Sequence, residues 1–464
     1  MRPFSMRDKL GYTLGDLGCC CTEQFRAMYL SVFYTLILQV NPFHIGILML
    51  ITKIWDAVND PIIGAIVDSR KATKGGKFIP WIRAFSFPMA VLCILGFVNV
   101  SNLAYGLRLA YMFVTYVLYE ALYTCVNVPF GTLSSVMTDD VRHRTALSRY
   151  RSLGGTIFMT VIVMVGPLVL YVDNKPVAGR FLMLASVFAL IGLLCLQITC
   201  VWCKERVAVP ERPKGEKLNY LHVIKEIAKN KALLGVMFFS LVGMIVSSVV
   251  NGLNTYLFKD YFGNVKIMAV SGGLSVLYSL ITFAITQPLA DKLGKKEWCC
   301  WGAGFAAAVF ALLFFFPIHN PVLFIVINGV CYLGASGMQV LIWAMVNDSI
   351  DYHELQTGER NEGIVYSTYS FFRKLASAVS GSLSSFVLGF IGYNVAEGAV
   401  QTAEVSNAIW KSYTGIYVLG YGVAVAILFF VYPLTKAKTT EMLEQLKARR
   451  AEKAEETKTQ GKRT

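Results

Sequence analysis

The sequence predicts an all-α membrane protein: twelve transmembrane helices in two six-helix, pseudo-symmetric halves. Of its 464 residues 55% are hydrophobic and only 16% charged, too apolar a balance for a soluble domain. Apolar runs of about twenty residues, each enough to cross a bilayer, recur along most of the chain. One long polar break divides these runs six and six.

In order, the expected spans are 10–38, 43–67, 80–102, 106–136, 148–172 and 179–203, then 232–258, 267–290, 297–317, 321–346, 363–392 and 412–434. Arg70, Lys71, Lys74 and Lys77 follow the second span, Arg142, Arg144 and Arg149 the fourth, and a basic stretch from Lys204 to Lys231 the sixth. The connections after spans one, three and five carry almost no Lys or Arg. Positive loops stay inside, so the even-numbered loops and both termini are expected in the cytoplasm of a cell-membrane protein. The domains are then an N-terminal bundle 1–203, a cytoplasmic linker 204–231 with a short surface helix around Leu218–Ile227, a C-terminal bundle 232–434 and a charged tail 435–464. With Glu441, Glu444, Lys447, Arg449, Arg450, Glu452 and Lys453, the tail is too charged to span and reads as a solvated or membrane-surface helix.

Several function classes drop out. The net charge of +14 lies in loops and tail, where topology and lipid headgroups explain it, so no nucleic-acid partner is expected. The eleven cysteines sit in apolar runs without metal-ligand spacing, which argues against a metal or disulfide role. With no Ser-His-Asp order, metal motif or phosphate loop, and five histidines in all, nothing supports an enzyme or a bound cofactor. With Met1–Asp8 short and basic and the next segment long and polar-bearing, no cleavable signal peptide is expected. A monomer is expected.

The most informative run is Lys53-Ile-Trp-Asp56-Ala-Val-Asn-Asp60-Pro61 in the second span. At about 100° per residue, Lys53, Asp56 and Asp60 share an arc of roughly 60°. Each charge at mid-membrane costs on the order of 2.5–3.5 kcal/mol, so the three must face protein or water and compensate one another. Two carboxylates one turn apart can hold one small cation or share a proton; alternatively, Lys53 neutralises them on a wet wall. Oxygens of Asn59 and Thr52 would complete a Na⁺ site, whereas one titrating acid suffices for H⁺. In the first span Glu23 and Arg26 either neutralise each other or leave Arg26 for an anionic substrate. Glu120 in the fourth either lies nearer the outer half of the cavity or pairs with Arg108 or Arg83. Asn251, Asn254 and Tyr256 are polar positions in the seventh span, fit either for a substrate-facing wall or for bonds between helices.

The halves repeat a signature: Gly64-x-x-x-Asp68 and the basic loop Ser69–Lys77 after the second span, Pro288-Leu-Ala-Asp291-Lys-Leu-Gly294-Lys-Lys296 after the eighth. Asp68 and Asp291 read as gating residues that bond neighbouring helix ends. Two six-span halves with this loop resemble the major facilitator superfamily. Gly15-Asp16-Leu17-Gly18, Ile54–Pro61, Asn127-Val-Pro-Phe-Gly131, Gly358-Glu-Arg-Asn-Glu-Gly363 and Lys374 resemble, more narrowly, the glycoside–pentoside–hexuronide:cation symporters, the family of the melibiose permease, over spans one to eleven.

The resemblance implies cation-coupled symport of a sugar or glycoside by alternating access, Na⁺ or H⁺ being the coupling ion and no cofactor being needed. It implies Asp56 and Asp60 as cation ligands with Lys374 near both cation and sugar. Asp16, Tyr123 and Arg151 (or Arg149) would serve as pocket residues, and Asp348 and Asp351 as gating or structural acids at the cytoplasmic end of the tenth span. The sequence also departs from the melibiose permease. Asn127 and Gly131 stand where that protein has an aspartate and a tryptophan, and Gln339 replaces a tenth-span tryptophan, with Trp343 one turn along. A melibiose-type galactoside pocket is not implied. A cation-coupled lipid or lysolipid transporter and a non-transporting membrane sugar sensor are the alternatives.

Overall fold

A computed structural model describes residues 3–69, 75–138, 140–207, 230–357, 369, 372–373, 376, 380, 382–396 and 399–460. Lys374, the Gly358–Gly363 run and the expected linker helix lie outside the described residues, as do the side chains of Asp60 and Asp68.

The expected spans appear as helices α1 (Met6–Leu36), α2 (Pro42–Ser69), α3 (Ile79–Leu95), α4 (Tyr105–Met137), α5 (Val141–Leu170), α6 (Ala178–Trp202), α7 (Lys231–Tyr256), α8 (Ile267–Leu293) and α9 (Lys295–Phe315), then α10 (Pro321–Ala335) with α11 (Gly337–Thr357), and α12 (Ala403–Phe430). Residues 382–390 are helical within the eleventh expected span. The tail forms α13 (Lys436–Gln460), as its charge pattern predicts. Among the described residues eight helices are long and apolar enough to cross a membrane, and α3 adds a shorter apolar one. Helices α1 and α2, at 31 and 28 residues, have the length but carry the charged positions.

Local chemistry sets several boundaries. Asp8 accepts the Ser5 N–H at 3.0 Å and opens α1 with a capping box. A two-stranded hairpin, Tyr171–Val172 with Lys175–Pro176, joins α5 to α6, turning at Asp173 and Asn174, both at positive φ. Helix α7 ends in a π turn, Leu257–Tyr261. The tenth span outruns its expected end: α10 and α11 run nearly continuously, and Ser336 between them bonds Thr282 at 2.9 Å.

The chain packs as two units: Met1–Pro213 with Asn251–Gly273 and Gly381–Ile409, and Lys214–Val250 with Leu274–Ser380 and Trp410–Thr464. In the first, α1 is central. It meets α6 where Gly18 and Gly192 face each other, and a Cβ on either would come within 3 Å of the other's carbonyl oxygen. It meets α5 at Gly154, where a Cβ would press on Thr13 O and Leu17 N. Small residues at such crossings let backbones approach where lipid offers no hydrophobic drive. Phe25, Phe33, Phe97, Phe181 and Phe188 fill the space beside α1. In the second unit, α9 and α12 are joined by the Trp410 indole N–H, which donates to Leu313 O at 2.9 Å, and by stacking of Phe310 on Tyr417.

The repeated loop signature is visible in the backbone. Gly76 and Gly294 have φ of 104° and 111°, values that side-chain-bearing residues rarely adopt, and each lies against a glutamate carboxylate, Glu205 and Glu297 respectively. Glu205 accepts the N–H groups of Lys77, Phe78 and Ile79 at 2.7, 2.8 and 2.8 Å, at the start of α3. An anion on the free N–H groups of a helix start is favourable both as acceptor and against the helix dipole.

Candidate functional site

Two groups of polar side chains form inside the first unit. One joins α1, α2 and α4. Lys53 Nζ lies 3.5 Å from Glu120 Oε2 and 3.9 Å from Glu23 Oε1. One turn along both α2 and α4, Thr124 Oγ1 donates to Asp56 Oδ1 at 3.2 Å. The pairs Lys53–Glu120 and Asp56–Thr124 are successive rungs between these two helices. Thr52 is fully buried, and its hydroxyl donates back to Leu48 O and Met49 O of its own helix. Asn59 is buried too, and among the described residues its Nδ2 has no hydrogen-bond partner.

The expected partners of Glu120 are corrected here. Arg108 donates instead to Leu103 O and Leu38 O, and Arg83 to Cys200 O. Arg108 lies in the first turn of α4, twelve residues and hence about 18 Å of helix rise from Glu120. Arg83 belongs to the start of α3. Lys53 therefore reaches acids on other helices. Arg26, 3% exposed, enters the core between α1, α3 and α4: its guanidinium lies 3.7 Å from the Tyr119 ring centroid, and among the described residues its three nitrogens have no hydrogen-bond partner. The interaction is cation–π, which offsets part of the desolvation.

The second group joins α1 and α5. Arg151 Nε donates to Asp16 Oδ1 at 3.0 Å, and the Gly155 N–H donates to Oδ2 at 3.0 Å. Arg151 meets Asp16, while Arg149 is exposed. The guanidinium lies over Phe130, 5.2 Å from the ring centroid, and a Cβ on Gly131 would sit 3.6 Å from its Nη1. Gly131 thus leaves the space against which Arg151 rests. Phe130 is itself stacked on Tyr12, and Gly15 supplies the room for its ring. Tyr123 stacks on Tyr119 at 6.0 Å, and Asn127 is half-buried on the same helix.

In the second unit, Gln339 and Trp343 are exposed on α11. Trp343 meets Tyr369 edge-on at 5.1 Å, with the Arg373 guanidinium 5.7 Å from its ring centroid. Sequence reasoning passed over Tyr369 and Arg373, and the adjacent Lys374 was the only signal pointing there. Asp348 is clamped by Lys295 Nζ at 2.7 and 2.8 Å, linking α11 to the loop beside Asp291. Asp291 accepts from Gln287 at 3.0 Å on its own helix, and Asp351 is half-buried one turn beyond Asp348. In the first unit, Asn251 is exposed and Asn254 half-buried, whereas Tyr256 is fully buried against Tyr393.

A multi-pass helical membrane protein with ion pairs and orphaned polar groups gathered between its helices has the construction of a solute transporter, because charges are tolerated at that depth only against protein or water. The chain belongs to the MFS/sugar transport protein family, whose model matches residues 11–436. It is 31% identical over 446 residues to an uncharacterized symporter, YjmB, of Bacillus subtilis strain 168, covering 95% of each chain. It is 29% identical over 450 residues to the isoprimeverose transporter of Lactiplantibacillus pentosus, covering 96% of this chain and 92% of that one. Among solved structures, a bacterial homolog of the human lysosomal transporter Spinster superposes with a TM-score of 0.63 at 11% identity, over 95% of this chain and 97% of the other. At that identity the likeness is one of fold.

Proposed function

We propose that the protein is a secondary active transporter that carries a sugar or glycoside across the cell membrane with Na⁺ or H⁺, by alternating access. The observation that carries this reading is the pairing of two polar groups in one unit: Asp56 on α2 hydrogen-bonded to Thr124, and Asp16 on α1 hydrogen-bonded to Arg151. Names of the relatives, a symporter and a transporter of isoprimeverose, support the same class.

In this reading Asp56 and Asp60 take the coupling cation, with Asn59, Thr52 and Lys374 beside them. Asp16, Arg151, Tyr123 and Asn127 receive the sugar, with Gln339, Trp343 and Lys374 contributing from the C-terminal half. A carboxylate accepts from two hydroxyls and a guanidinium donates to others, which suits a polyhydroxylated ring. Cation binding relieves repulsion between the carboxylates and favours the sugar-binding arrangement, so each ligand raises the affinity of the other by the same factor. Asp68, Asp291, Asp348 and Asp351 serve closure. The halves are 1–203 and 232–434, joined by 204–231, with both termini and the tail from 435 in the cytoplasm, and the protein works as a monomer.

Uptake into proteoliposomes, screened over glycosides, pentosides and uronides with and without Na⁺ at fixed pH, tests the class and the ion. Asp56→Asn and Asp60→Asn should each abolish cation-driven accumulation. Wild-type accumulation in both would overturn the cation assignment, and no uptake of any sugar would overturn the substrate class.

A further inference from the structure

Lys53 and Asp56 lie at i and i+3 on α2, a spacing that lets a side-chain ammonium reach a carboxylate on the same helix face. A lysine so tethered is a permanent competitor for any diffusible cation at Asp56. Its ammonium is instead drawn 3.5 Å from Glu120 on α4 and 3.9 Å from Glu23 on α1. The Glu120 side chain is only 3% exposed. A buried carboxylate that loses its cation is strongly destabilised, so Glu120 holds Lys53 firmly. On the next rung of the same helix pair Asp56 accepts from the neutral hydroxyl of Thr124. Arg26, one turn from Glu23 and stacked on Tyr119, supplies the second cation of this core. Glu23, Arg26, Lys53 and Glu120 then sum to zero charge among themselves.

We propose that Glu120 is a positioning residue for ion coupling: it keeps the Lys53 ammonium off Asp56, so that the site takes a diffusible cation and not the chain's own lysine. This rests on the reading of Asp56 as a cation ligand.

The test uses purified full-length protein in proteoliposomes, with the transported sugar and a titration of Na⁺ at fixed pH, or of pH if Na⁺ has no effect. Glu120→Gln releases Lys53 to compete. The cation concentration for half-maximal uptake should rise on the order of tenfold, and the rate should recover at saturating cation. The double variant Lys53→Met with Glu120→Gln removes competitor and holder together as a neutral pair, and should return the cation dependence to the wild-type value. A merely structural role for Glu120 would lower the maximal rate and leave the cation concentration for half-maximal uptake unchanged. An unchanged half-maximal concentration in Glu120→Gln overturns the proposal, and so does a double variant that has lost coupling. If Glu120→Gln does not reach the membrane, the double variant alone still decides. Asp56→Asn is the control: wild-type cation dependence there sinks the parent reading, whereas lost dependence there with an unaltered Glu120→Gln sinks only this inference.

Discussion

The Asp16 carboxylate is held by two donors of different kinds, a guanidinium side chain and a helix-backbone N–H, each at 3.0 Å. Together they fix both oxygens, so the acid presents a set direction to a ligand instead of a rotating one. Substitution of Asp16 by Asn keeps the shape but removes the charge from every bond it makes. Hydrogen bonds to charged groups contribute about 1.5–3 kcal/mol, so the apparent sugar affinity should fall by roughly 10- to 100-fold, read as the substrate concentration for half-maximal uptake at saturating cation. Gly131 makes a second prediction. A tryptophan there would take the space beside the Arg151 guanidinium and push it from Phe130 and Asp16. Gly131→Trp should weaken the sugar with little change in cation dependence, and an equal loss of both would show the two groups to be inseparable.

Among the helices, the crossings of α1 with α5 and α6 depend on the absence of side chains at Gly154, Gly18 and Gly192. Overpacking such a contact costs typically about 1–3 kcal/mol, so Gly192→Leu should lower the thermal unfolding temperature of the detergent-solubilised protein. An unchanged melting temperature would mean that α1 and α6 separate freely. The start of α3 makes a complementary case. Glu205 satisfies three consecutive N–H groups there, and loss of a cap costs about 0.5–2 kcal/mol, so Glu205→Ala should also destabilise, with the sugar and cation dependences retained. Helix positions were largely legible in the sequence, because hydrophobic length and charge placement are local properties. The π turn ending α7 and the extension of the tenth span to Thr357 were not. Both meet contacts distant in sequence: Asn174 donates to Lys259 O within the π turn, and in the extension Lys295 donates to Asp348 and Arg449 to Leu355 O.

At the scale of the whole molecule, the first packing unit takes in segments from beyond the linker. Asn174, in the turn of the α5–α6 hairpin, donates to Lys259 O and accepts from Val265 N–H, both at 2.9 Å, so one side chain spans the π turn and the start of α8. Ser31 and Ser385 meet at 3.1 Å within the same unit. Replacing Asn174 by Ala removes both bonds. In a Ser385→Cys background with the eleven native cysteines replaced it should speed labelling by a thiol reagent, and labelling at the unaltered rate would show that the hairpin does not hold this packing.

The sequence by itself determined the class of the protein, the order of its helices, and which positions carry charge within the membrane. A bilayer imposes length and hydropathy on each segment separately, and a charge inside a span is conspicuous wherever it falls. Tertiary structure alone decided which charges meet. Helix periodicity placed Lys53 on one face with Asp56 and Asp60, and the structure adds Glu120 and Glu23 from neighbouring helices within 3.9 Å of its ammonium; Arg151, not Arg149, meets Asp16. The physical reason is that periodicity sets the face of a helix on which a residue lies, whereas the partner across that face depends on how neighbouring helices rotate and slide. Here glycines at the α1 crossings, Gly154 and Gly155 lying directly against Asp16, let the helices approach closely enough for the Arg151–Asp16 pair to form.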